Sequence, residues 1–416
     1  MTTLTLKKGA GRSFKAGGPW IYDNEIASAS GAVDPGEIVT VRDFDGYFLG
    51  YGFCNPRSTI RVRILSRRED ETVTEELLQK RVRDACDYRR RVMRAPEDLA
   101  ACRLIFGEAD LLPGLTVDRF GDVLCVESLA AGADRLKGTV LGALVDELRQ
   151  DGVTIRGIYE RSAGKERALE GLEDRTGWIA PEELGQPSGR ELSADLPTRI
   201  DITENGVRYR VDIANGQKTG FFLDQKYNRL AIRPMCHGAR VLDCFTHTGA
   251  FALNAAAGGA AEVLGVDASA PAIRQAEENA ALNGMSGTVR FQTADVFELL
   301  PALEKQGERY DVVILDPPAF TKSRSSVKKA VTGYREINLR GMRLVRDGGY
   351  LATCTCSHFM EEELFARTIA QAARGAHVRL RQVLFSQQAP DHPILWTGEE
   401  NSYYLKFYIF QVFRET

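Results

Sequence analysis

The sequence predicts an α/β protein. A doubly wound, largely parallel sheet is expected over residues 191–416, behind a small β-barrel over 1–70 and a connecting helix with an α+β region over 71–190. Three observations predict this. Seven apolar, β-forming runs follow one another in the last part of the chain: RVLDCF, AEVLGVD, TVRFQTAD, YDVVILD, GYLATCTC, HVRLRQVLF and YYLKFYIFQVF. Helical stretches near 250–257, 270–283, 296–306, 331–345 and 360–373 separate most of them, a rhythm that builds parallel sheets. The N-terminal region instead alternates apolar and polar residues, as half-buried strands do.

Each element has its own signal. GEIVTVRDFDGYFLGYGFC carries Asp45-Gly46 at a hairpin turn, and TIRVRIL sets Arg61 and Arg63 on one face with Ile60, Val62 and Ile64 on the other. From Thr74 to about Met93 the period becomes helical, with Leu77, Leu78, Val82, Ala85 and Cys86 on one side and charges opposite. Strand patterns in LTVDRFGDVLCVESL and IRGIYERSAGKERALEG flank a helical stretch over 136–148. The polar segment GQPSGRELSADLP marks a boundary. The final strand follows a loop without a crossover helix, so it is expected to run antiparallel.

Composition excludes several classes. Apolar residues make up 44% and charged residues 27% of 416, which is ordinary for a globular chain and unlike a disordered or collagenous one. No run approaches the ~18 apolar residues of a membrane span, and the opening MTTLTLKKGAGRSF has no apolar signal core. Eight cysteines at 54, 86, 102, 125, 236, 244, 354 and 356 lack the spacing of a disulfide framework. Reduced thiols in a cytoplasmic protein without membrane contact are therefore expected. Net charge is −3, yet the stretch to Arg94 holds 17 basic and 13 acidic residues. Its arginines form either a solvated face or a surface for a polyanion.

In an open α/β sheet, ligands sit outside the carboxyl ends of the strands. Four successive strands end in acids here: Asp243, Asp267, Asp295 and Asp316; the fifth ends in Cys356 and Ser357. Any one such Asp is more often a helix N-cap than a ligand, but four would share one rim. Asp267, roughly 20 residues after the first turn, is placed to accept from ribose hydroxyls. Gly249 would let backbone approach a ligand. The first loop lacks GxGxxG and no GxxxxGK[ST] occurs, so phosphate cradles are absent. A carboxylate rim suits a cationic ligand with ribose hydroxyls and an amine. S-adenosylmethionine has these groups, and a Rossmann-like methyltransferase follows. Cys354-x-Cys356 with His358 has no second ligand pair, so no metal is expected.

These residues also carry a resemblance. NGQKTGFFLDQKYNR (215–229), DCFTHTGAF, ALNG (281–284), DVFELL, DPPAF, GYREIN (333–338), CTCSHF and APDHP (389–393) resemble the bacterial 23S rRNA cytosine-C5 methyltransferases that carry an N-terminal PUA domain. RLIFGEADLLPGLTVDRFGD (103–122) is similar to that family's central domain. The resemblance implies a class I methyltransferase sheet, S-adenosylmethionine as cofactor, and 23S rRNA as partner; it also admits a homodimer. It further implies that Asp243, Thr248 and Gly249 lie at the methionine moiety. Asp267 would lie at the ribose, Asp295 at the adenine amine, and Gln225 would close the pocket. Asp316 would stand between cofactor and base, and Cys356 would be the catalytic thiol. From the residues themselves, Phe320 after DPPA is placed to stack on a flipped base; Lys322, Arg324, Lys328 and Lys329 either hold flanking phosphates or form a mobile solvated loop, and Arg61 and Arg63 fit a surface that contacts the RNA backbone.

The chemistry explains the cysteine. Cytosine C5 is a weak nucleophile until a thiolate adds at C6, which is covalent catalysis and needs a thiolate. Cys354 shares a strand face with Cys356 but lies ~6.6 Å further from the rim, so it is expected to pack. Two other readings stay open: methylation of an exocyclic amine with Cys356 structural, and an inactive RNA-binding protein of ribosome assembly.

Overall fold

The computed structural model describes residues 1–184, 192–321, 323–397 and 402–415. The expected boundary at residue 190 and the candidate Lys322 lie outside them. The chain divides into two compact units.

The first unit comprises Met1–Ile202, Val211–Leu223 and Pro390–Ser402. Its six-stranded sheet is built from β1 (Thr3–Leu6), β2 (Trp20–Tyr22), β3 (Ile26–Ala29), β4 (Glu37–Arg42), β5 (Phe48–Cys54) and β6 (Ile60–Ser66), in the order β2-β6-β5-β4-β1-β3. A short helix α1 (Arg12–Lys15) precedes β2. Alternation places Leu4, Leu6, Val39, Val41, Val62 and Ile64 in one core. The second sheet has five strands in the order β11-β10-β9-β8-β7. They are β7 (Ala101–Phe106), β8 (Leu115–Phe120), β9 (Val123–Ser128), β10 (Gly157–Ser162) and β11 (Arg175–Trp178). Helices α2 (Glu75–Val92), α3 (Ala131–Gln150) and α4 (Lys165–Leu169) belong to this part.

Helix α2 begins where Thr74 Oγ1 accepts from the Leu77 N–H at 3.3 Å. Glu75 and Glu76 lie in its first turn and Arg89, Arg90 and Arg91 in its last, matching the helix dipole. The expected apolar stripe is buried, but so is Arg89. Its guanidinium forks onto Asp110 at 2.5 and 2.7 Å and also donates to the carbonyls of Arg103 and Asp391. Arg103 in turn grips the buried Asp118 at 2.7 and 2.8 Å. Asp391 accepts from the Arg103 N–H at 3.0 Å, so this part of the APDHP segment holds structure together.

Part of the expected basic surface is engaged within the chain, while Arg57, Arg83, Arg91 and Arg94 are exposed. Arg67 donates to the carbonyls of Phe14 and Gly18, Arg68 pairs with Asp70, Arg81 with Glu71, and Arg90 with Asp87, Glu147 and Asp151. Arg63 bridges Glu108 at 3.2 Å and Glu170 at 3.4 Å. Arg61, part-buried, donates to the Asn55 carbonyl at 3.3 Å. The alternation of TIRVRIL identified the outward face but not the acids packed against it.

A hairpin of β12 (Arg199–Glu204) and β13 (Val207–Asp212) follows. The second unit holds Thr203–Arg210, Asp224–Ala389 and Tyr403–Thr416. All seven expected strands occur in it: β14 (Arg240–Cys244), β15 (Glu262–Asp267), β16 (Val289–Thr293), β17 (Tyr310–Leu315), β18 (Val345–Thr355), β19 (Val378–Ser386) and β20 (Lys406–Arg414). Their order is β16-β15-β14-β17-β18-β20-β19. The helices are α5 (Lys226–Ala231), α6 (Ala250–Ala257), α7 (Ala270–Leu282), α8 (Val296–Lys305), α9 (Val327–Leu344) and α10 (Glu362–Ala376). β14 to β18 pair in parallel, whereas β20 runs antiparallel between β18 and β19. The buried runs Val241-Leu242 and Val312-Val313-Ile314-Leu315 are what a sheet covered on both faces requires. The order reverses between β14 and β17, a switch point where ligands bind. Among the described residues no helix is long and apolar enough to cross a membrane.

Arg89→Ala would leave Asp110, 6% exposed, without its charge partner. A loss of about 3–5 kcal/mol is expected for an uncompensated buried charge, read from equilibrium urea unfolding. Arg89→Lys should recover little, because an ammonium cannot fork onto a carboxylate.

Candidate active site

The site forms where β14, β15, β17 and β18 end. The loop after β14 has three left-handed residues, Phe245 (φ 63°), His247 (φ 49°) and Gly249 (φ 84°). Such backbone is costly for side chains with a Cβ and is held only by its surroundings. Asp243 is part of that support. Its Oδ2 accepts from Thr246 Oγ1 at 2.5 Å and from the Ala252 N–H at 2.9 Å. Its Oδ1 is buried and has no hydrogen-bond partner. Burial pushes this carboxyl up to about 8, against the lowering effect of Thr246.

Asp267 closes β15. Its Oδ2 accepts from the His247 N–H at 2.9 Å and its Oδ1 from the Ser269 N–H at 2.8 Å, so it ties the two loops together. Each oxygen keeps a second lone pair for a ligand. Asp295 caps α8 through the Phe297 N–H at 2.8 Å and is exposed. Asp295 is thus an N-cap that can also meet a ligand, whereas α7 is capped by Ser269 and Asp267 braces the loop before it.

Thr248 is buried and its carbonyl accepts from Asn279 Nδ2 at 3.0 Å. A Cβ at Gly249 would come within 2.8 Å of the Phe291 ring and 3.1 Å of Ala276. The glycine is therefore required by its positive φ and by contact with β16 and α7, rather than by ligand approach alone.

Asp316 follows β17. Its N–H donates to the Cys244 carbonyl at 3.3 Å, and its Oδ1 accepts from Gln225 Nε2 at 3.1 Å and from the Cys354 thiol at 2.8 Å. Gln225 is fixed by Asn228, whose Nδ2 donates to Gln225 Oε1 at 2.7 Å. Burial raises the Asp316 carboxyl to about 6, while the Cys354 and Gln225 hydrogen bonds oppose the rise. Cys354 is held well above the ordinary thiol range by burial and by Asp316, so it stays a neutral donor. Its expected packing role is incomplete: it also positions Asp316.

Of the eight cysteines, all free, Cys356 alone is not buried. It comes just after β18, with Sγ 3.9 Å from the Pro317 carbonyl. Its loop is braced on both sides. Thr355 Oγ1 donates to the Tyr334 hydroxyl at 2.7 Å, and Ser357 Oγ donates to the Thr321 carbonyl at 2.8 Å. Lys406, opposite Thr355 in the sheet, is 2% exposed and donates to the Ser357 carbonyl at 3.3 Å. Burial pulls its ammonium down to about 8. Neither Thr246, Asn228, Tyr334 nor Lys406 was singled out by sequence reasoning, although Thr246 lies inside DCFTHTGAF, Asn228 inside NGQKTGFFLDQKYNR and Tyr334 inside GYREIN.

Phe320 is part-buried among Tyr334, Phe297 and Phe245, at ring distances of 4.6, 5.8 and 6.5 Å. Arg324, Lys328 and Lys329 are exposed beyond it.

A doubly wound sheet with carboxylates at successive strand ends is the architecture of an S-adenosylmethionine-dependent methyltransferase. The residues fit that cofactor: Asp243 has an orphaned buried oxygen for a donor, Asp267 has lone pairs for hydroxyls, and Asp295 is an exposed acceptor. A family model for S-adenosylmethionine-dependent methyltransferases matches residues 130–393, and one for a PUA-like domain matches residues 4–67. The ribosomal RNA large subunit methyltransferase I of Erwinia tasmaniensis is 36% identical over 401 residues, 96% of this chain and 97% of that one. The protein of the same name from Shewanella denitrificans is 38% identical, covering 97% of both chains. A Streptococcus mutans chain described as a SAM-dependent methyltransferase superposes with a TM-score of 0.78 at 20% identity, covering 99% of this chain and 100% of that one. The chain belongs to the ribosomal RNA large subunit methyltransferase I family.

Two outcomes are expected. Brief iodoacetamide treatment of the native protein should label Cys356 ahead of the other seven cysteines, as read by peptide mass mapping. For Asp243, the carboxyl is mostly protonated near neutral pH and must ionise to meet a cation. Affinity for S-adenosylhomocysteine should therefore rise as pH increases from about 6 toward 7.5. Calorimetry should find that rise in the wild type and a flat profile in Asp243→Asn.

Proposed function

We propose that the protein methylates C5 of a cytosine in large-subunit ribosomal RNA through a transient bond to Cys356. The observation that carries this reading is the placement of one solvent-accessible thiol beside the Pro317 carbonyl, at the end of the strand next to Asp316. The names of the relatives support the RNA substrate, and the PUA-like segment supports RNA contact by residues 4–67.

Bound S-adenosylmethionine supplies an electrophilic methyl group. Asp243, Thr248 and Gly249 lie on the methionine side of its pocket, Asp267 at the ribose and Asp295 at the adenine edge; Gln225 closes the pocket next to Asp316. Cys356 Sγ, as thiolate, forms a bond to C6 of an unpaired or flipped cytosine. The electron pair moves to C5, which takes the methyl group as the S–CH3 bond of the sulfonium breaks and its electron pair stays on sulfur, leaving the neutral thioether. Loss of the C5 proton then returns the pair to the ring, the C5–C6 double bond re-forms, and the C6–S bond breaks to release Cys356. Asp316 keeps Oδ2 for the base, and a carboxyl raised to about 6 can carry the proton that N3 takes up while the ring is charged. Phe320 supports the base, with Arg324 toward flanking phosphates.

Labelled S-adenosylmethionine with ribosomal RNA tests this. Cys356→Ala should lose at least about a thousandfold in kcat, since no other thiol reaches the base. Cys354→Ser should stay within a few-fold, because a hydroxyl still donates to Asp316. Full activity in Cys356→Ala, or label on an exocyclic nitrogen, would overturn the covalent reading.

A further inference from the structure

The first unit contains a cavity of about 630 Å³ that the methyl-transfer chemistry does not use, a volume typical of small-ligand sites. Its walls come from β2 and β6, from the β7–β8 connection and from α4. Trp20, Phe106, Leu115 and Leu169 give it flat apolar surface, and Leu169 is 64% exposed. Trp20 and Arg63 are cross-strand partners, with the guanidinium 5.5 Å from the indole.

The polar groups are fixed beside this surface. Glu108 Oε1 accepts from Trp20 Nε1 at 2.8 Å and from Arg63 Nη1 at 3.2 Å, while Oε2 accepts no hydrogen bond among the described residues. Glu170 is occupied by Arg63, Asn55 and the Ala131 N–H. Arg63 Nε is buried and finds no acceptor among the described residues. Arg57 lines the cavity, exposed, and its guanidinium forms no hydrogen bond among the described residues.

Carboxylates of Glu108, Glu166 and Glu170 outnumber the two guanidiniums in the lining, so phosphate is disfavoured inside. A flat ring with adjacent donors and an acceptor on its edge fits. We propose that this cavity receives an unstacked guanine base of the RNA, a step that rests on the RNA reading above. Glu108 Oε2 takes N1–H or the exocyclic N2–H, Arg57 donates to O6 or N7, and the ring lies against Trp20. The ribose and phosphate stay at the mouth. The cavity would thus anchor the RNA by a base other than the one methylated.

The full-length protein can be titrated with GMP, AMP, CMP and UMP while tryptophan fluorescence is followed. GMP should quench saturably and bind roughly tenfold or more tightly than UMP, the scale of one well-matched base edge. Trp20→Phe should remove most of the quenching. Glu108→Gln keeps an acceptor for Trp20 and places an amide donor where Oε2 stood, so it should abolish the GMP preference and raise KM for ribosomal RNA. Arg57→Ala changes a side chain with no hydrogen bond to lose, and should weaken GMP at least about threefold even if Glu108→Gln folds poorly. Equal or absent quenching by all four nucleotides, or an unchanged GMP preference in both variants, would overturn the proposal. The titration needs no methyl transfer: Cys356→Ala should bind GMP as the wild type does, so failure here and failure of the covalent mechanism are separable.

Discussion

The Asp316 carboxylate receives donors from two directions, Gln225 from the segment leading into α5 and Cys354 from the interior of β18. Both reach the same oxygen, so the carboxyl cannot swing without breaking a buried contact on each side. Parallel register brings this about: Cys244 pairs with Leu315, and Leu315 with Thr353. The loops after β14, β17 and β18 consequently open at one level. The Ser357–Thr321 hydrogen bond then joins the loop of the thiol to the loop of the carboxylate. Every distance that matters for the proposed chemistry depends on that shared floor.

Strand ends were the most legible part of the chain. The central strands β14 and β17 carry buried apolar runs where both faces are covered, so the polar residue that closes such a run marks the rim, even though the edge strand β16 is largely exposed. That rule found Asp243, Asp267, Asp295 and Asp316. It also separated Cys356 from Cys354, since strand alternation gives depth as well as face. What it left out is the second partner of each group. Thr246 beneath Asp243 and Asn228 behind Gln225 are ordinary polar residues in sequence. Their importance comes from tertiary contacts that no local period encodes.

The partners of the arginines were hidden for a related reason. A charged residue on the polar side of a helix or strand faces outward from its own element, but another element can lie there. Arg89 meets Asp110, and Arg63 meets Glu108 and Glu170. These acids are distant in sequence, so a local charge count does not show which arginines folding pairs and which, such as Arg57 and Arg83, it leaves exposed. Phe320 is similar: its position after the Pro-Pro turn suggested an open stacking face, while Tyr334 and Phe297 flank the ring. Seating of this kind gives a platform with few alternative orientations.

The sheet order has a temporal side. β20 is synthesised after β19 yet sits inside it, against β18. The strand nearest the thiol thus waits, during synthesis, for a neighbour that emerges later, and β19 cannot take that place without blocking it. Lys406, at the start of β20, arrives with the same insertion and anchors the Ser357 carbonyl. A nascent chain that has finished β18 would still lack the Lys406 contact that holds the Ser357 carbonyl, so this brace on the loop comes only with the last strand.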